Sequence, residues 1–122
     1  MSTLKVNNLQ DINGGNNSTP EQVTQGRAKA WVLYDGSNEN ILASFNVSSV
    51  TKHSTGQYTV NFTNSFSNTN YLAVPACIFS GVGNDISVVM GNSGNRATGS
   101  CRFFTGQGTA QFDTTVGVSF IG

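Results

Sequence analysis

The chain has 122 residues, six basic and six acidic side chains and no net charge. That is one domain's worth of core, which excludes a multidomain enzyme with separate cofactor and substrate lobes. The charges are scattered singly, leaving no basic stripe able to release counterions from phosphates, so nucleic acid is not an expected partner.

Asn, Ser, Thr and Gly supply 15, 14, 13 and 14 residues, so helix formers are scarce and turn formers abundant, and Val, Ile, Thr and the aromatics make this a β composition. No apolar run approaches the roughly 20 residues that cross a bilayer, and the N-terminus lacks the charged head and apolar stretch of a secretory signal. A soluble chain made in a cytoplasm, with no membrane partner, is expected. Cys77 and Cys101 occur without a CxxC spacing and beside a single histidine, so no zinc or redox motif can be assembled within one chain. In such a compartment two buried, reduced thiols are expected ahead of a disulfide.

In chain order, Met1 to Ser18 has no sustained period. It carries the aliphatics Leu4, Val6, Leu9 and Ile12 among Asn and Gly pairs. This segment cannot build a core alone, but it can lie on another surface and seat those four side chains, as an attachment arm does. Ser18 to Gly26 predicts one or two helical turns, with Thr19 at the N-cap, Pro20 at the first helical position, Gln22 completing a capping box and Gly26 at a left-handed exit. Residues 1–26 are therefore read as arm and joint, and 27–122 as the folded domain.

From Arg27 the period falls to two. Ala28 to Tyr34 predicts a strand whose Trp31-Val32-Leu33-Tyr34 run is apolar on both faces, which suits a central strand or contact with a neighbouring subunit through Trp31 and Leu33. Asp35 to Glu39 turns the chain into a return strand, Ile41 to Val47, with Ala43, Phe45 and Val47 expected inward. The spacing of Val47 and Val50 predicts a β-bulge that moves the strand between sheet faces. After a loop over Lys52 to Gly56, Tyr58, Val60 and Phe62 face one way along Gln57 to Thr63. Tyr71 to Phe79 is nearly continuous in apolar residues, and Pro75 marks an edge or a crossing between sheets. Gly81 to Asn84 predicts a turn, Asp85 to Met90 a short strand, Gly91 to Asn95 a turn and Thr98 to Thr105 a strand. The closing strand, Phe112 to Ile121, places Phe112, Val116, Val118 and Phe120 on one side. The fold class is all-β: a β-sandwich or Greek-key barrel of about seven to eight short antiparallel strands, with an extended N-terminal arm and one short helix.

The inventory for catalysis is thin. His53 lies beside a predicted hairpin loop with no nucleophile motif near it. The carboxylates Asp11, Glu21, Asp35, Glu39, Asp85 and Asp113 fall mostly in the arm or at turns, where solvation is the ordinary fate of even the Asp35 and Glu39 pair. Asp35 to Glu39 is too short for a calcium loop, and Gly81 to Asn84 for a phosphate cradle. No catalytic, cofactor-binding or metal-ligating residue is expected, and the chain is read as a non-enzyme. The neutral Asn, Ser, Thr and Gly loops with Tyr34, Tyr58 and Tyr71 are of the kind that contact sugars or other proteins.

Three stretches carry a resemblance: Gly26-Arg27-Ala28-Lys29-Ala30-Trp31-Val32-Leu33-Tyr34-Asp35-Gly36, Ala43-Ser44-Phe45-Asn46-Val47-Ser48-Ser49-Val50-Thr51, and Thr55-Gly56-Gln57-Tyr58-Thr59-Val60-Asn61-Phe62-Thr63. Together with Asn70-Tyr71 and the closing Val116 to Gly122, they resemble a β-rich module of tail-fibre and other virion structural proteins of tailed bacteriophages, common among marine and cyanobacterial phages. The likeness is good over 26–63 and weak over 78–111. It implies a structural virion component, commonly homotrimeric, with no catalytic residues to carry over. A typical fibre carries the module on a long shaft, whereas here only a short arm precedes it. The expectation therefore extends from a tail fibre to a tail-associated tip or a capsid or neck knob, whose partners are copies of itself and other virion proteins. The alternative expectation is a carbohydrate-binding module for a host surface glycan.

Overall fold

The structure, a computed structural model, describes residues 1–78, 87–90, 95–107 and 110–122. Among the described residues a short helix, α1 (Pro20–Gly26), precedes nine strands: β1 (Ala28–Asp35), β2 (Asn40–Phe45), β3 (Val47–Ser54), β4 (Gln57–Phe62), β5 (Leu72–Ile78), β6 (Ser87–Met90), β7 (Ser100–Gln107), the two-residue β8 (Ala110–Gln111) and β9 (Thr115–Ile121). The predicted turn at Gly81 to Asn84, all but the last residue of the turn predicted at Gly91 to Asn95, and the start of the strand predicted at Asp85 lie outside the described residues.

The helix begins as its sequence dictates. The Thr19 hydroxyl accepts from the Gln22 N–H at 3.2 Å while the Thr19 N–H donates to Gln22 Oε1 at 2.9 Å, so two donors left free by the first turn are satisfied. Its exit differs from expectation. Gly26 remains helical, and Arg27 at φ −87°, ψ 149° carries the chain straight into β1, so no left-handed residue is needed.

The strands form two antiparallel sheets, ordered β2-β1-β9-β5 and β3-β4-β7-β6, with β8 pairing β7. This is a sandwich. One cluster fills it: Ala30, Val32 and Tyr34 from β1, Val116, Val118 and Phe120 from β9, Tyr58, Val60 and Phe62 from β4, and Cys101 and Phe103 from β7, with Tyr71 beside them. Alternation decides these positions, since β4 and β9 each bury every second residue. Aromatic edges interlock across the layers, Phe62 meeting Phe120 at 4.9 Å between ring centroids and Tyr34 meeting Tyr58 at 5.3 Å, while Tyr58 stacks on its strand neighbour Phe103 at 5.2 Å. β5 lies at a sheet edge, the place in a sheet that tolerates a proline, with Pro75 opposite Val118 of β9.

Two expectations are corrected. The return strand does not run to Val47, because the chain changes sheets at Asn46, whose φ of +54° turns the backbone sharply between β2 and β3. The corner is held by Asn46 Nδ2 donating to the carbonyls of Lys29 and Asn64, each at 3.1 Å, and by Asn46 Oδ1 accepting from the Asn64 N–H at 2.7 Å. The predicted bulge is present just beyond, as a register shift between Val47 and Ser49 against β4. The second correction concerns Ala43 and Phe45, which are exposed rather than inward. Register explains it: Phe45 lies opposite Trp31 and Ala43 opposite Leu33, and those β1 residues point away from the core.

Candidate functional site

The two outer faces of the sandwich differ in chemistry. On the second sheet, Ser49, Thr51, His53, Gln57, Thr59, Asn61 and Arg102 form a hydrogen-bonded polar surface, with the half-buried Phe104 ring lying under the Arg102 guanidinium as its apolar exception among the described side chains. Asn61 Nδ2 donates to Ser49 Oγ and Thr51 Oγ1 at 3.0 and 3.1 Å, His53 Nε2 lies 2.7 Å from Thr59 Oγ1, and Arg102 Nη2 donates to Gln57 Oε1 at 2.7 Å. Such a face is content in water.

The first sheet presents the opposite. Opposed residues across antiparallel strands share a face, so one row runs Phe45, Trp31, Ser119, Val74 and the next Ala43, Leu33, Gly117, Ala76, with Ile121 and Leu72 at the end. Trp31, Phe45, Leu72 and Val74 are 37%, 54%, 60% and 46% exposed. No charged residue stands in these rows. The expected subunit-contact residues, Trp31 and Leu33, both lie here, beside Phe45, which was expected inward, and Leu72 and Val74, which belong to the nearly continuous apolar run from Tyr71 to Phe79 but were not named as contact residues. Their signal was available: β5 is apolar at both parities, so burying one parity leaves the other outside.

The arm is the second apolar surface. Every residue from Met1 to Asn17 is exposed, Leu4, Val6, Leu9 and Ile12 among them. It is not extended throughout. Leu9 and Ser18 exchange backbone hydrogen bonds at 2.7 and 2.8 Å, and the Asp11 carboxylate closes the loop between them by accepting from the N–H groups of Asn13 and Gly15 and from Asn16 Nδ2. The hairpin brings Leu4, Val6 and Leu9 against Pro20 and Val23 of the helix, lining an open groove of about 590 Å³. Ile12 stands apart at the loop, fully exposed.

One polar cluster sits at the end of the sandwich where three turns meet. Asp113 Oδ2 pairs with Lys52 Nζ at 2.8 Å, and Oδ1 accepts from the Gly56 N–H at 3.0 Å and from the Tyr58 hydroxyl. Lys52 Nζ also donates to the Gly36 carbonyl at 3.3 Å, and the Gly36 N–H to the Thr114 carbonyl at 3.0 Å. The turns β1–β2 and β3–β4 are thereby tied to the entry of β9. Burial pushes the Asp113 carboxyl up, but hydrogen bonds from Lys52, Tyr58 and Gly56 outweigh it and hold the group below its ordinary value. Burial, then the neighbouring carboxylate, push the Tyr58 hydroxyl well up, and the hydrogen bond to Asp113 raises Lys52. Each shift strengthens the state the group already holds at neutral pH. A catalytic acid or base needs the reverse, a pKa drawn toward the working pH. The cluster is a fastening. The sequence reading gave Asp113 no partner, since its partners lie 55 to 61 residues away in the chain.

The remaining candidates are placed as follows. Tyr34, Tyr58 and Tyr71, read as loop tyrosines able to contact sugars, are instead 2%, 0% and 2% exposed. Each occupies an inward parity, and the Tyr71 hydroxyl spends its proton on the carbonyls of Ala97 and Ser100. His53 lies on β3 rather than in a loop. The Asp35 carboxylate binds the Asn38 side chain and the N–H groups of Ser37 and Asn38, and the Asn38 hydrogen bonds lower its pKa. Cys101 is a free, buried thiol whose pKa burial raises. Among the described residues, no group of three or more His, Cys, Asp or Glu side chains is placed to hold a metal ion.

Comparison with family models, curated proteins and solved structures finds no match for this chain.

Proposed function

We propose that this chain is a non-enzymatic structural component of a tailed-bacteriophage virion, held by its N-terminal arm and projecting its β-sandwich as a tail-fibre or tail-associated tip or a capsid or neck knob. The observation that carries the proposal is the arm itself. A segment with four large aliphatic side chains, Leu4 and Ile12 mostly in water and Val6 and Leu9 only partly covered, gains further stability by docking elsewhere. The resemblance of residues 26–63 to phage virion modules supplies the setting. The electrostatics of the Asp113 cluster favour a rigid support over chemistry. Many copies on one symmetric particle would multiply a modest single contact through effective concentration.

The test is deletion of residues 1–18 in a phage carrying this gene, with the copies of the chain per purified particle as the readout. Loss of the chain from particles supports the proposal, and undiminished incorporation overturns it. The glycan-binding alternative has lost the three tyrosines on which it was read, because Tyr34, Tyr58 and Tyr71 lie in the core. Saturable binding on a glycan array would restore it.

A further inference from the structure

We infer that the apolar rows on the outer face of the first sheet are covered by the N-terminal arm of a second copy of this chain, so that copies close into an oligomer by exchanging arms. This names the partner of the arm and rests on the reading of residues 1–18 as an attachment segment.

Three observations lead there. The first is asymmetry: one outer face is a polar network, while the other presents Phe45, Trp31, Val74 and Leu72 with no charge among them. A face built to stay wet resembles the former. The second is area. The open parts of Trp31, Phe45, Leu72 and Val74 amount to about 400 Å², no more than a single functional patch. Those of Leu4, Val6, Leu9, Ile12 and Val23 come to about 500 Å². Neither surface alone reaches the roughly 800 Å² that each partner contributes to a stable interface, whereas a subunit that gives one arm and receives another buries about 900 Å², all at one interface in a reciprocal dimer and divided between two in a cyclic trimer. The third is reach and match. Leu4 to Leu9 spans about 17 Å when extended, and four strands about 14 Å, so the arm can cross the whole face. Its side chains are aliphatic, as apolar rows with small residues at Ala43, Gly117 and Ala76 require.

The arm does not perform this service for its own domain, since Met1 to Asn17 remain exposed. A contact between unlike surfaces must close to avoid a filament. A trimer passing its arms cyclically closes, and so does a dimer exchanging them reciprocally.

The chain contains a single tryptophan, Trp31, in the middle of the proposed contact. Its emission and its quenching by acrylamide therefore report coverage of this face directly. The experiment measures both, with mass by sedimentation, for three full-length proteins: the wild type, an arm variant (Leu4→Ser, Val6→Ser, Leu9→Ser, Ile12→Ser) and a face variant (Phe45→Ser, Val74→Ser). The arm variant alters no core residue, so its domain still folds. The wild type is expected to be a closed dimer or trimer at about 10 μM with Trp31 shielded, and each variant to associate at least about thirtyfold more weakly. In the arm variant the emission shifts to the red and quenching rises severalfold. An arm variant that keeps its mass and its shielded tryptophan means face packs on face, and overturns the inference. So does a face variant that keeps its mass, because arm then binds arm. A monomeric wild type overturns it as well, yet leaves the arm free to anchor on another virion protein, a result that the particle-incorporation experiment reads separately.

Discussion

Replacing Asp113 by Asn keeps the shape of the side chain and removes its charge. In the native structure one oxygen accepts from the Gly56 N–H and the Tyr58 hydroxyl, and the other pairs with Lys52. The amide oxygen can still serve the first two donors, but its Nδ2 turns a donor toward an ammonium. Hydrogen bonds to a charged acceptor contribute about 1.5–3 kcal/mol and neutral ones about 0.5–1.5. Weakening two of them and losing the third, with screening at a side chain 21% exposed, costs about 2 kcal/mol at pH 7. For a domain of this size that is a fall of roughly 8 °C in Tm. The pH dependence is the sharper part. The folded carboxyl titrates below its unfolded value, so its contribution is present above about pH 4 and is lost as pH falls through the lower, folded value. Below that value the wild-type group is protonated too. Thermal melts of the two proteins from pH 7 to pH 2 should therefore differ by roughly 8 °C at neutrality and converge in acid. A difference that is the same at both ends, or absent at both, would refute the idea that an ionised Asp113 fastens the turns.

Two further substitutions probe the packing. Phe120→Ala removes a fully buried ring that meets both Phe62 and Tyr71, and should destabilise by about 3–5 kcal/mol in urea or guanidinium titration. Gly56 sits at φ +68°, where an added Cβ would collide with the Thr105 carbonyl oxygen. Gly56→Ala should accordingly cost about 2 kcal/mol or more by the same titration, and a neutral result would mean the β3–β4 turn has other conformations open to it.

Much of the framework was legible because strands write their parity into the sequence. Tyr58, Val60 and Phe62 point inward as their alternation requires, as do Val116, Val118 and Phe120, and the capping residues placed the start of α1. Parity does not say which side is the core. In β2 the apolar parity, Ala43 and Phe45, faces outward because β1 presents Trp31 and Leu33 on that side and fixes the register. The bulge opposite Leu33 and Tyr34 then restores Ile41 to the inner side. The corner at Asn46 was hidden for a related reason: a single left-handed residue moves the chain between sheets without interrupting the run of strand-forming residues. The Asp113 fastening escaped because charge partners far apart in sequence leave no local pattern. The apolar outer face was legible only as an excess, since two strands carry more apolar side chains than one core can take.

The account turns on the arm as the element that fixes this protein in place, and a density map of the intact phage particle that traces the chain tests it most directly. It predicts the chain at a symmetric position with Leu4, Val6, Leu9 and Ile12 seated on a neighbouring subunit, and the polar face of Thr51, Thr59 and Asn61 turned toward water. Particles that lack the chain, or that hold it by the polar face with residues 1–18 hanging in solvent, would contradict it.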